Sequence, residues 1–304
     1  MPVTAYVGSG SGGVFGEGTV TPISTAANVP GNGISVGCCP EAIAITPDGK
    51  TAYVAMQHQG EVIPIDTATS TALPAITVGA GPWAIAITPD GKTAYVLNAE
   101  DFTVTPIWTA TNTALRAIKA GGGPGAIAIT PRGKTAYVIN WTAGRVTPIR
   151  TATNTALKAI KVGTHPDAIA ITPDGKTVYV VNHNSGTVTP IRIATNTALK
   201  AIKVGHSPDA IAITPDGKTA YIANSYVGTG ELGTVTPIRI ATNTALKAIK
   251  VGHDPRAIAI TPDGKTAYVA DSGGNHVTPI RIATNTALTA IKVGTHPVAI
   301  AITP

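Results

Sequence analysis

The segment Pro-Asp-Gly-Lys-Thr-Ala-Tyr-Val, which begins at Pro47, returns with small changes at Pro89, Pro173, Pro215 and Pro262, and Pro131 opens a version with Arg132 in place of the aspartate. The spacing is 42 residues except between Pro215 and Pro262, where it is 47. The chain ends Ala-Ile-Ala-Ile-Thr-Pro and begins Met-Pro-Val-Thr-Ala-Tyr-Val. Placing Met1 after Pro304 brings Tyr6 into register with Tyr53, Tyr95, Tyr137, Tyr179, Tyr221 and Tyr268. Five repeats of 42 residues and two of 47 then account for the 304 residues, with the seventh copy split between the two ends. A fixed period of this length marks an array in which each repeat is one supersecondary unit.

Each repeat reads as four short strands. Ala-Ile-Ala-Ile-Thr alternates small and branched residues, Pro-Asp-Gly-Lys supplies turn residues, and Thr-Ala-Tyr-Val and Thr-Val-Thr-Pro-Ile follow as the second and third strands. An Ala-Thr-Asn-Thr turn leads to Leu-Lys-Ala-Ile-Lys-Val-Gly as the fourth. Thr, Val, Ile and Gly dominate and no segment shows a 3.6-residue period, which disfavours a helical solenoid. Four strands in about 42 residues is the size of a propeller blade. The expected fold is therefore all-β: one seven-bladed β-propeller domain over residues 1–304, built of four-stranded antiparallel blades. The seventh blade is divided between 1–37 and 298–304, and the C-terminal inner strand joins three N-terminal strands to close the ring. Pro22, Pro64, Pro106, Pro148, Pro190, Pro237 and Pro279 fall inside the third strands. Proline removes a ladder donor, so a bulge or an unpaired position is expected there in every blade.

Composition removes several classes of function. Hydrophobic residues reach 43% and charged residues 12%, yet no stretch approaches the ~20 consecutive apolar residues of a membrane span. The first residues lack a basic region followed by an apolar core, so no signal peptide is expected within this sequence. The adjacent Cys38 and Cys39 read as a turn with two unreactive thiols.

The unit running Val-Gly-Thr-His-Pro-Asp-Ala-Ile-Ala-Ile-Thr-Pro-Asp-Gly-Lys-Thr-Val-Tyr-Val-Val-Asn from Val162 resembles the YVTN-repeat β-propellers, a group of mostly exported bacterial and archaeal proteins. The resemblance covers the whole chain. It implies the propeller fold and favours an extracytoplasmic or secreted location. The same architecture includes surface-layer proteins, lactonase-like enzymes and virginiamycin B lyase, and no catalytic set of these maps residue by residue onto this sequence.

Differences between repeats are concentrated. The Pro-Asp-Gly-Lys turns and the strands barely change, whereas the turns on the opposite face change in almost every copy. The residue after the turn proline is Glu41, Trp83, Gly125, Asp167, Asp209, Arg256 and Val298 in succession, and it opens the innermost strand, near the expected channel mouth. All seven histidines fall in these variable turns, as do Phe15, Phe102, Trp141 and Tyr226. The charges separate too. Ten of the sixteen acids lie at or beside this face against Arg145 and Arg256, so it carries −8 and the remainder +14, which together give the net +6. The basic character therefore belongs to a solvated belt of regular lysines and arginines. Nucleic acid is not an expected partner, because acids interleaved with aromatics repel phosphate.

Glu41, Asp167, Asp209 and Arg256 are the candidate catalytic set: carboxylates whose protonation burial and repulsion shift, with an arginine able to hold a carboxylate. Trp83, His58, Trp141, His183, Tyr226 and Phe102 are candidate ligand-binding residues around them. His165, His206, His253 and His296 recur beside the turn prolines. Histidine with Asp167 or Asp209 is a conceivable divalent-metal set, but no compact metal-binding spacing appears and no cofactor is assigned. The expected function is binding of a small cationic or polar ligand by a monomer, as an acid–base lyase, cyclase or hydrolase. The alternative is a non-catalytic exported propeller that binds a protein or cell-surface partner through the same face.

Overall fold

The repeated turn shows why its residues recur. In the computed structural model, the Asp174 Oδ1 atom accepts the Thr172 hydroxyl at 2.6 Å and the Lys176 amide at 3.0 Å. The Thr172 oxygen in turn accepts the Thr177 amide at 3.1 Å. Gly175 sits at φ 66°, a conformation that costs glycine little and other residues more. The same bonds form around Asp48, Asp90, Asp216 and Asp263. With Arg132 in the aspartate position, the Thr130 hydroxyl oxygen takes the Lys134 amide itself, at 3.1 Å.

The structure describes residues 4–10, 18–24, 27, 29–225, 232–300 and 302. Among them, seven antiparallel sheets follow one another along the chain, the blades of a seven-bladed β-propeller. The chain divides into two compact units, residues 1–138 with 149–157, and residues 139–148 with 158–304. The first unit holds the sheets that start with strands Thr4–Gly10, Pro40–Ile45 and Pro82–Ile87, and the second those that start with Pro166–Ile171, Pro208–Ile213 and Pro255–Ile260. Strands of the fourth sheet are shared between the units. The described residues 297–300 and 302 carry no strand, while 301, 303 and 304 of the expected closing strand lie outside the described residues.

The fourth strand of the repeat departs from its expected form. In the sheet of Pro166–Ile171, the order is Pro166–Ile171, Thr177–Asn182, Thr187–Arg192 and then two fragments, Thr197–Ala198 and Ile202–Lys203, both paired with Thr187–Arg192. Six of the seven sheets are consequently five-stranded. Proline is the reason. Pro190 stays in register opposite Tyr179, and its carbonyl accepts the Leu199 amide at 2.8 Å, so the side of Pro190 that lacks an N–H faces the outer strand. With no donor there, the outer strand leaves the ladder between its two fragments. The expected irregularity thus falls on the partner of the proline strand. Leu73, Leu115, Leu246 and Leu288 make the same bond to Pro64, Pro106, Pro237 and Pro279.

The core lies between consecutive sheets. In the second unit, Tyr179, Val181 and Val188 of one sheet pack on Ala220, Ile222 and Ile238 of the next. Tyr221 and Val235 pack likewise on Ala267, Val269 and Ile280. Each fully buried Val or Ile contributes about 1.5–3 kcal/mol. The repeated tyrosine does more than fill space. Tyr179 donates to Asn243 Oδ1 at 2.5 Å and Tyr221 to Asn285 Oδ1 at 2.6 Å; in the first unit Tyr53 and Tyr95 bond Asn112 and Asn154 in the same way. The Asn of Ala-Thr-Asn-Thr, held in the left-handed region, is therefore a latch for the tyrosine of the preceding sheet. Burial pushes these phenols up to about 12. Where Ser70 replaces the Asn, Tyr6 is only partly buried and reaches the Thr67 carbonyl at 3.5 Å.

Candidate functional site

Two local rules of the repeat bring the variable residues of the second unit together. The first is a conformation. The residue before the turn proline has positive φ in every described copy: Cys39, Gly81, Gly123, His165, Ser207, Asp254 and His296. It reverses the chain so that its carbonyl accepts the amide that follows the second strand, as His165 does from His183, Ser207 from Ser225 and Asp254 from Ser272. The second is a bulge. The register of the first strand skips one residue between Pro166 and Ala168, Pro208 and Ala210, and Pro255 and Ala257. The skipped residues are Asp167, Asp209 and Arg256. A bulge re-aims a side chain out of the ladder, and these first strands run against each other in succession. In the first unit the same bulge carries Glu41 and Trp83.

Asp209 is the centre of this cluster, and its side chain is only 5% exposed. Three consecutive sheets bond it. His183 Nδ1 lies 2.5 Å from Oδ1, the Ser225 hydroxyl donates to Oδ2 at 2.5 Å, and Arg256 Nη1 approaches Oδ2 at 3.3 Å. A carboxylate only accepts, so His183 Nδ1 carries the proton of this bond, and Nε2 is the ring nitrogen left for another partner. Arg256 Nε is held by Asp254 at 3.0 Å, which leaves three of its five N–H donors for other oxygens. Ser225 Oγ also lies 2.9 Å from the Pro255 carbonyl, fixing the Asp209 sheet to the next. A groove of about 650 Å³, lined by His183, Asn184, Ser185, Lys203, His206 and Ser207, opens beside this pair.

Asp167 has no hydrogen-bond or ion-pair partner among the described residues. The surrounding protein strips part of its hydration and the Asp209 carboxylate repels it; both raise its carboxyl above the usual range. One donor atom each from Asp167, His183 and Asp209 lies within 4.8 Å of the other two. Trp141 stacks edge-on against His165 with ring centres 5.0 Å apart, and His165 lies 5.7 Å from His183.

The other sequence candidates have separate settings. Glu41, Trp83, His58 and Phe102 belong to the first unit and are exposed. Phe102 has a φ of 57°, so its position reflects a turn as well as an aromatic surface. Tyr226, Phe15, Glu17 and Glu231 lie outside the described residues. Cys38 and Cys39 are joined in a disulfide, which corrects the reading of two thiols. Ser225 and Asp254, which orient Asp209 and Arg256, were not among the sequence candidates. A serine beside a turn carries no distinguishing signal, although Ser225 directly follows the repeated Asn and so occupies the position of His183.

The sequence pattern described as "Lactonase, 7-bladed beta-propeller" matches residues 43–202, just over half of the chain. The chain belongs to this lactonase family of seven-bladed β-propellers. No curated protein matches the sequence significantly. Among solved structures, a putative 6-phosphogluconolactonase from Bacteroides fragilis aligns with a TM-score of 0.72 at 21% identity, covering 97% of this chain and 96% of that one. A putative 6-phosphogluconolactonase from Bacteroides uniformis gives 0.69 at 18% identity, covering 98% and 99%. Hydrazine synthase of Kuenenia stuttgartiensis gives 0.69 at 24% identity, covering 85% and 88%. At these identities the solved structures establish the shared propeller fold. No helix among the described residues of this lactonase-family chain is long and apolar enough to cross a membrane.

Proposed function

We propose that this lactonase-family propeller is a hydrolase that opens a small cyclic ester at the cluster around Asp209. The observation that carries the proposal is the His183–Asp209 pair: a buried, multiply bonded carboxylate fixing an imidazole beside an open groove. In this reading His183 Nε2 takes a proton from a water whose oxygen attacks the ester carbonyl. Asp209 holds the ring and stabilises the imidazolium that forms. The remaining N–H donors of Arg256 hold the carbonyl oxygen as negative charge develops on it. The ring C–O bond then breaks, the departing alkoxide recovers the proton from His183, and a hydroxy acid leaves.

The electrostatics refine the ligand class. Lys203 and His206 line the groove and no carboxylate among the described residues does, so the groove favours a polar, oxygen-rich substrate over an organic cation. Glu41 and Trp83, on the equivalent bulges of the first unit, are assigned no step in this chemistry. A second reading, a non-catalytic partner-binding face, draws support from the exposed aromatics Trp83, Phe102 and Trp141.

The test is a panel of five- and six-membered lactones followed by proton release. Hydrolysis that falls by about 10²–10⁴-fold in His183→Ala, with the fold retained, supports the proposal. Absence of hydrolysis across the panel overturns it in favour of the binding face, and equal rates in wild type and variant overturn the assignment of the chemistry to His183.

A further inference from the structure

We propose that Asp167, His183 and Asp209 form a binding site for a divalent transition-metal ion, with zinc the favoured occupant. The three side chains come from three elements: two bulges in neighbouring first strands and the residue that follows strand Thr177–Asn182. Their donor atoms already lie within 4.8 Å of one another. Around a tetrahedral ion with bonds of about 2.1 Å, ligand atoms stand roughly 3.4 Å apart. The set therefore reaches binding distance if its side chains draw in by about an ångström. An imidazole with two carboxylates is an N/O donor set suited to zinc and its first-row neighbours.

Charge supplies the second argument. Asp167 faces Asp209 with no hydrogen-bond or ion-pair partner of its own among the described residues, and an ion between them turns this repulsion into shared coordination. A third observation lies beside the cluster. His165 Nδ1 is a buried nitrogen with no hydrogen-bond partner, in a ring 5.7 Å from His183. Ser225 and Arg256 remain on Asp209 Oδ2, as groups that orient a ligating carboxylate in metal sites do. This inference rests on the donor geometry and not on the hydrolase reading.

The experiment is calorimetric titration of the chelator-treated full chain with zinc chloride, repeated on Asp167→Asn and His183→Gln. Both side chains reach solvent, and circular dichroism confirms that the variants fold. One ion per chain in wild type, with affinity lowered about tenfold or more in each variant, is the expected result. No binding by wild type overturns the proposal, and so does binding that Asp167→Asn leaves unchanged, which would place the ion on other surface histidines. The readout is binding, so a protein that takes up zinc but opens no lactone sinks the hydrolase reading and leaves this one standing, while a lactonase that binds no zinc does the reverse.

Discussion

Asp271→Asn should stabilise the protein above pH 6 and have little effect near pH 4. Asp271 ends its second strand where Asn98, Asn140, Asn182 and Asn224 end theirs, and it is 0% exposed. Asn182 donates to Thr187 and Thr189 while its carbonyl oxygen accepts the Gly163 amide. Asp271 keeps the acceptor role, with Thr278 donating to Oδ2 at 2.5 Å and Gly252 supplying an amide, but its Oδ1 is buried without a partner. Burial pushes its carboxyl up to about 6, against the opposing pull of Thr278, Gly252, His276 and His253. Below the unfolded value of 3.8 both states hold the proton and nothing is lost. As the pH rises from there to about 6, the unfolded chain ionises first and stability falls, reaching its full loss once the folded carboxyl has also ionised. A shift of about two units corresponds to about 3 kcal/mol. Asparagine cannot titrate, so urea denaturation monitored by circular dichroism should show the variant more stable by about this amount at pH 8, with the difference shrinking toward pH 4. An advantage that is independent of pH, or absent at pH 8, would refute the reasoning.

Three other substitutions probe the same construction. Tyr179→Phe removes the bond to Asn243 and should cost about 1 kcal/mol in denaturant unfolding, with Tyr6→Phe costing less because its contact is long and partly exposed. Arg132→Asp restores the bond pattern of the other turns and should raise stability by roughly 0.5–1.5 kcal/mol, read as a higher urea midpoint. Asp209→Asn leaves the His183 ring without its carboxylate and should lower lactone turnover by about 10²–10⁴-fold, measured by proton release, with a smaller loss in Ser225→Ala.

The blades were legible because register is written into spacing. A tyrosine every 42 or 47 residues matches the length of a four-stranded blade, and the Asp-Gly turn announces its own hydrogen bonds. The broken outer strand was harder to foresee. Proline in the third strand announced a missing donor, but which strand would yield depended on which side of the ladder that donor faced. The Tyr–Asn latch spans 59 to 64 residues and links positions that read separately as core and turn, although Ser70, the one departure among the Asn positions of the full repeats, was a visible clue. For the candidate site, Asp167, Asp209 and Arg256 stood out because each follows a turn proline, at a position whose residue differs in most of the copies. The bulge that turns them out of the ladder was not readable, since a skipped residue looks like any other strand residue. Ser225 and Asp254 serve through their backbone positions as much as their side chains, so nothing in their residue type marked them.

A crystal structure with a non-hydrolysable lactam analogue of a hydrolysed lactone tests the reading of this end of the second unit most directly. The analogue should lie in the groove with its carbonyl carbon facing His183 Nε2 across one water and its carbonyl oxygen on Arg256. Density for the analogue elsewhere, with His183 and Arg256 untouched, would contradict it.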